Sequence, residues 1–198
     1  MSHAFVRNLT FQANDLGKEV TLMLTFDGNM EGLYEDFFPV VWKVSTFGKT
    51  GPYRAHATYT SQLAFSKPQV VDGNIIDAET CVKINDSEKT SLTESNNVFH
   101  FSPPQAGTSG ILQAVNNTGA IQDIAVELTA HRDGSHVTAE FTPVLRAYIT
   151  SDYQETAILR GAIDTPAVWS QNLAGLKEST TWTLTRDLAS GRYSIVQA

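Results

Sequence analysis

Arg54, His56, Thr58, Thr60 and Gln62 recur at every second position of the run YRAHATYTSQLAF, residues 53–65. At strand spacing these side chains share one face, because successive residues of a strand point to opposite sides. A row made of a guanidinium, an imidazole, hydroxyls and an amide can orient a polar ligand, and Arg54 can polarise a bound heterocycle. The opposite face carries Tyr53, Ala55, Ala57, Tyr59, Leu63 and Phe65, which suit a core. The polar row is therefore either the solvated outside of a sheet or the floor of a sheltered hollow between sheets. On the second reading it is the candidate ligand-binding set. Trp42, Tyr59 and Trp182 would join it as stacking rings, and His100 as a second imidazole.

The remaining reactive residues give weaker patterns. His100 lies between Phe99 and Phe101 and must point away from both. If its strand shares a sheet with that of His56, the two imidazoles line one pocket; a lone strand histidine is more often a surface residue. His131 and His136 flank Asp133-Gly134. A two-residue loop there sets them opposite each other, and two neutral imidazoles are the start of a transition-metal site. Hairpin tips are commonly exposed, however, and two ligands do not complete a set. Glu31, Glu35 and Asp36, with Asp27 nearby, offer the oxygen atoms that hard cations take, without the spacing of a calcium loop. A solvated acidic loop explains them as well, so no metal ligand is assigned. Asp123 and Glu140 are carboxylates of the kind glycoside hydrolysis needs, but that chemistry depends on a separation in space. Cys81 alternates as a small strand residue and carries no nucleophile signature. No catalytic residue is assigned, and a protein without enzymatic activity is expected.

Many short strands must position these groups. Alternation predicts strands over residues 4–12, 19–26, 38–47, 53–65, 89–93, 98–102, 107–115, 137–150, 180–185 and 193–196. Two or three short strands are expected in 69–85, and residues 121–129 read as a strand or a short helix. The turn cluster at 48–52 suggests that 38–47 and 53–65 form a hairpin. Lys67-Pro68 is expected to end the long strand. Residues 164–176 are the best helix, with Asp164 or Thr165 as cap and Pro166 in the first turn. The fold class is all-β: an antiparallel β-sandwich or jelly roll with at most one or two short helices. No composition shift or linker divides the chain, so residues 1–198 are expected to form a single β-sandwich domain.

Bulk composition narrows the partners. Of the 198 residues, 41% are hydrophobic and 18% charged, enough apolar material for a packed core. A net charge of −7 without a basic tract disfavours nonspecific binding to nucleic acid or to an anionic membrane. The apolar runs are too short to cross a bilayer as helices. One cysteine excludes an internal disulfide. The first dozen residues lack an apolar signal core, which makes the cytoplasm the expected location. Unpaired sheet edges favour a homo-oligomer.

The stretch FFPVVWKVSTFGKTGPYRAHATYTSQLAFSKPQVVDGNIIDAETCV, residues 37–82, and the segment STTWTLTR, residues 179–186, carry a resemblance. They resemble a group of small intracellular β-rich proteins of mushroom-forming fungi, a group that includes the pink chromoprotein of pink oyster mushrooms. The resemblance implies a non-covalent planar heterocyclic pigment of indole type, with a metal ion as a further component. It implies no enzymatic activity and supplies no residue-level site. The sequence thus leads to a non-enzymatic small-molecule-binding protein, chromoprotein-like. A carbohydrate-binding lectin and a metal-dependent jelly-roll enzyme are the alternatives.

Overall fold

The computed structural model describes residues 5–28, 32–35, 37–126, 129–132, 137–139 and 143–198; of these, 129–132 and 137–139 are described by their backbone alone. Every regular element among the described residues is a strand. In chain order they are β1 (Val6–Asn14), β2 (Val20–Thr25), β3 (Phe37–Pro39), β4 (Val41–Phe47), β5 (Pro52–Thr60), β6 (Leu63–Val71), β7 (Asn74–Ile84), β8 (Glu88–Ser95) and β9 (Val98–Phe101). There follow β10 (Gln105–Ala106), β11 (Leu112–Asn116), β12 (Asp123–Val126), β13 (Thr129–Arg132), β14 (Val137–Ala139), β15 (Val144–Ile149), β16 (Trp169–Asn172), β17 (Ser179–Arg186) and β18 (Tyr193–Gln197).

These strands form the expected antiparallel all-β sandwich, with two large apolar cores and a third, smaller buried cluster of Met23, Val41, Tyr148 and Leu159. The first core lies between sheets β18-β17-β1-β5 and β16-β15-β2-β4, and is built on Leu9, Phe11, Leu22, Leu145, Trp182 and Leu184. The second lies between β3-β13-β12-β6-β7 and β10-β8-β11-β14, with β9 added to β8; Phe65, Ile84, Leu92, Leu112 and Ile124 fill it. The strands of the second sandwich come from residues 63–139, nested between the two stretches that build the first; β3 alone comes from outside that range. Two adjacent pairs, β1 with β17 and β8 with β11, are parallel.

Alternation explains why each strand seats as it does. In β1, Leu9, Phe11 and Ala13 are buried while Asn8, Thr10 and Gln12 face out. Thr180, Trp182 and Leu184 of β17 match them, and the register sets Phe11 beside Trp182. Their rings stack at 5.4 Å, and Trp169 meets both edge-on. A one-residue slip would turn this whole set toward water, which fixes the register. Hairpins close on backbones that demand positive φ: Asp72-Gly73 between β6 and β7, and Asn96-Asn97 between β8 and β9.

Several expectations fail for identifiable reasons. The long strand 53–65 divides at Ser61-Gln62, where the chain passes from one sandwich to the other. Side-chain bonds supplement the main chain at this corner: Ser61 N donates to Phe5 O while Phe5 N donates to Ser61 Oγ, and Gln62 Nε2 donates to Ile84 O. Residues 48–52 do not close a hairpin, since β4 and β5 lie in opposite sheets of the first sandwich. Pro68 does not end β6; a register shift beside it absorbs the missing donor. The expected strand 38–47 divides at Val40 into β3 and β4, which join different sandwiches. The expected helix at 164–176 is instead β16 with flanking loops. Its donors are used by β15 and the preceding residue: Val168 N bonds to Ala147 O, and Leu173 N to Pro143 O. Trp169 and Leu173 then reach the first core from an extended backbone. No helix among the described residues is long and apolar enough to cross a membrane.

Candidate functional site

The polar row of β5 is not a hollow. Arg54, His56, Thr58 and Thr60 are exposed on the outer face of β18-β17-β1-β5. Neighbours on β1 engage two of them: Thr10 Oγ1 and His56 Nδ1 are 3.0 Å apart, and Thr58 Oγ1 donates to Asn8 Oδ1 at 3.1 Å. Gln62 is held at the corner by its bonds to backbone oxygens. Tyr59 and Trp182 belong to the first core. Burial pushes the Tyr59 hydroxyl up to about 12, so it stays a neutral packing group. His100 is exposed on β9, in a different sheet from His56. The sheltered arrangement expected from residues 54–62 is therefore replaced by a solvated sheet face. Truncating Arg54 or His56 to alanine should shift stability by less than about 0.5 kcal/mol, as for exposed sites generally. Urea unfolding of both variants checks this, and a larger loss would show that the row is structural.

Most of the metal candidates lie outside the described residues or are described by their backbone alone. His131 has Ile124 of β12 on one side and Phe37 of β3 on the other, so its lateral positions in the sheet are filled. Asp133, His136 and Glu140 lie outside the described residues, as do Glu31 and Asp36 of the acidic cluster. Among the described residues no three His, Cys, Asp or Glu side chains converge. Cys81 is exposed on β7.

What the fold does bring together is a cavity of about 190 Å³ between the two sandwiches. Val40, Val41 and Trp42 form the wall from the first sandwich and the residue just before β4. Ser66, Ile75, Ala125 and Val126 form the wall from the second. Thr156 completes the lining from a strap, residues 155–159, that runs between them. Trp42 also packs on Phe26, with ring centroids 5.3 Å apart, which ties the cavity wall to the first core.

The strap is bonded on both sides. Val41 N donates to Ala157 O and Thr156 N to Val41 O; across the strap, Ile75 N donates to Thr156 O and Ile158 N to Gly73 O. Glu155 anchors its start, accepting from Val44 N at 3.0 Å and lying 3.4 Å from Lys43 Nζ. Thr156 has φ +69, a left-handed conformation that a β-branched residue adopts only at a cost in free energy.

A second polar group of residues lies on the far face of β2 and β15. Alternation along β15 sends Leu145 and Ala147 into the core and turns Arg146 and Tyr148 the other way. Tyr148 Oη donates to Asp27 Oδ2, and Arg146 Nη1 donates to Asp27 O at 3.2 Å. Asp27 is buried, and its Oδ1 has no hydrogen-bond partner among the described residues; Arg146 Nη1 stands 3.9 Å from it. Burial raises the Asp27 carboxyl above its ordinary range, against the opposing pull of Tyr148 and Arg146. Burial likewise raises the hydroxyls of Tyr148 and Tyr34. This trio joins the end of β2 to β15.

Of the candidate residues, only Trp42 lines the cavity. Ser66, Ile75 and Thr156 gave no signal, because their side chains meet only after three distant segments are assembled. No protein-family model, curated protein or solved structure matches the chain.

Proposed function

We propose that this protein is a non-enzymatic binder of a small planar molecule, taken up in the cavity between its two sandwiches. The observation that carries the reading is the cavity itself: about 190 Å³, lined largely by aliphatic residues together with Trp42. A dry apolar cavity of about 150 Å³ is enough to admit benzene, so this one has room for one or two rings. Ligand sites in general pair such apolar walls with a few polar groups that fix orientation. A pigment is the occupant that the resemblance to the fungal chromoprotein group implies. The polar face of β5 has no part in holding it. All three tryptophans are buried or half-buried, which disfavours the lectin alternative, since stacking on sugars needs an exposed ring. A cytoplasmic location and self-association through sheet edges complete the proposal.

Protein isolated from its own cells should release a near-stoichiometric small molecule into organic solvent, detectable by mass spectrometry. If the molecule is coloured, the intact protein should absorb beyond the aromatic band. Trp42→Ala should weaken rebinding of the extracted molecule by at least about tenfold, the loss expected for an aromatic wall. A blank extract, together with no uptake of any ring-sized probe, would remove the reading.

A further inference from the structure

We infer that the first sandwich holds, at its end away from the cavity, a site for a small oxyanion, a carboxylate or a phosphate, gripped by Arg186 with Tyr193 and Lys18. The site is independent of the cavity: β4 leads from the cavity wall at Val41 to Phe47, and Phe47 pairs with Val20 at the opposite end of the sheet. At that end β1, β4, β15 and β17 finish while β2, β5 and β18 begin. The loops that close it, residues 15–19, 48–51, 150–168 and 187–192, all belong to the described part of the chain. Two polar atoms are buried there without a hydrogen-bond partner, Arg186 Nε and Tyr193 Oη. The register sets Arg186 directly opposite Tyr193, in phase with the inward residues Leu184 and Ile195, so the two side chains enter the end of the core side by side. Buried polar groups normally find partners. A guanidinium N–H only donates, so what completes it must be an acceptor.

The guanidinium is already oriented. Nη1 donates to Leu16 O at 3.5 Å, which ties that corner to the turn after β1. Nε and Nη2 remain, and their N–H bonds run parallel along one edge, the fork that takes two oxygens of a single carboxylate or phosphate. There is room beside it: a methyl group placed on Gly191 would stand 3.7 Å from Nη2, with no other described atom beyond its own chain neighbours within 4 Å. Lys18 brings a second cation, its Nζ lying 5.7 Å from the centre of the Tyr193 ring. The nearby acids do not answer these charges. Asp15 Oδ1 accepts from Gly51 N, and Asp187 Oδ1 accepts from Ala189 N and Ser190 N. The ion pairs among the described residues join Lys43 to Glu155 and Arg146 to Asp27, and neither involves Arg186 or Lys18. Three donors, two of them cationic, thus share one end of the sandwich and lack an acceptor. A bidentate anion would pair the buried Nε–H, receive the Tyr193 hydroxyl and balance the charge in one step.

Sodium acetate, inorganic phosphate and sodium chloride, each titrated into the full chain at neutral pH and low salt, test the site. Heteronuclear NMR reads it at two places, the Arg186 Nε–Hε signal and the Gly191 amide; Arg186→Lys identifies the first by its loss. At least one oxyanion should move both signals to saturation. Chloride, a single centre that cannot bridge the fork, should bind at least about tenfold more weakly. Tighter acetate assigns the site to a carboxylate, and tighter phosphate to a phosphoryl group. Arg186→Lys keeps the charge without the fork and should weaken the preferred oxyanion by at least about tenfold, read at Gly191. Tyr193→Phe should weaken it about fivefold, the worth of one net hydrogen bond. Without oxyanion, Tyr193→Phe should unfold in urea no more easily than wild type, because its hydroxyl has no bond to lose. With oxyanion, wild type should gain more stability than either variant. Signals that neither oxyanion moves, or that chloride moves as readily, would overturn the inference. So would an affinity unchanged in both variants. The cavity reading stands or falls separately.

Discussion

Truncating Trp182 to alanine is expected to lower the free energy of unfolding by about 3–5 kcal/mol, since it is the largest fully buried side chain among the described residues. The indole is buried to 2% exposure, stacked on Phe11 and crossed edge-on by Trp169. Its removal takes away dispersion contacts and aromatic geometry, and leaves a void that the paired backbones of β1 and β17 cannot close. Equilibrium unfolding in urea measures the loss, read from the midpoint with the slope unchanged. The same variant should rebind the extracted molecule with unaltered affinity, because Trp182 lies in the first core and does not line the cavity. A loss below about 1 kcal/mol would contradict the core placement. Weakened rebinding would show that the indole supports the cavity as well.

Tyr148→Phe should cost about 2 kcal/mol at neutral pH, because it withdraws the one hydroxyl that donates to a buried carboxylate. The pH dependence carries the sharper test. Burial holds the folded-state Asp27 carboxyl above its ordinary value, so the folded protein keeps that proton to higher pH than the unfolded chain does. The contribution of this group to stability is therefore fully present below about pH 4, and it falls as pH rises through the folded-state value. Asp27→Asn removes the titration while keeping an oxygen for Tyr148 to donate to. The stability of wild type minus that of Asp27→Asn should accordingly decline as pH is raised from the acid range toward neutrality. Urea unfolding of both proteins across that range decides the matter, and a difference that does not vary with pH would mean that Asp27 titrates normally. In Tyr148→Phe the decline should steepen, since the lost hydrogen bond favoured the ionised form.

Strand identity was legible wherever a strand has one face in a core and one in water. β1, β17 and β18 follow their alternation closely, whereas β2 is buried on both faces, with Met23 and Thr25 as covered as Leu22 and Leu24. The corner at Ser61-Gln62 was hidden because the parity of the pattern continues through it, from Tyr59 across Ser61 to Leu63. Residues 164–176 carry helix signals at Asp164, Thr165 and Pro166, yet the segment is short and the open edge of β15 takes up its backbone donors. Local propensity yields to such tertiary pairing. The polar row at 54–60 was correctly read as one face; which side of the sheet it meets depends on partners far away in sequence. The cavity was the least legible feature. Its lining draws on residues 40–42, 66, 75, 125–126 and 156, and only Trp42 announces itself by type. Asp27 stood out as an acid in a turn, but nothing local shows that Tyr148, 121 positions later, will donate to it.

The nesting of one sandwich inside the other sets an order on synthesis. β1 leaves the ribosome long before its parallel neighbour β17, which lies at Ser179–Arg186. The enclosed half has its own strands in hand once residue 139 has emerged, so it can condense while its host is still missing half of each sheet. During that interval the apolar faces of β1 and β2 have no cover from β15 or β17, and the nascent chain presents them to whatever chaperone or neighbouring polysome is nearest.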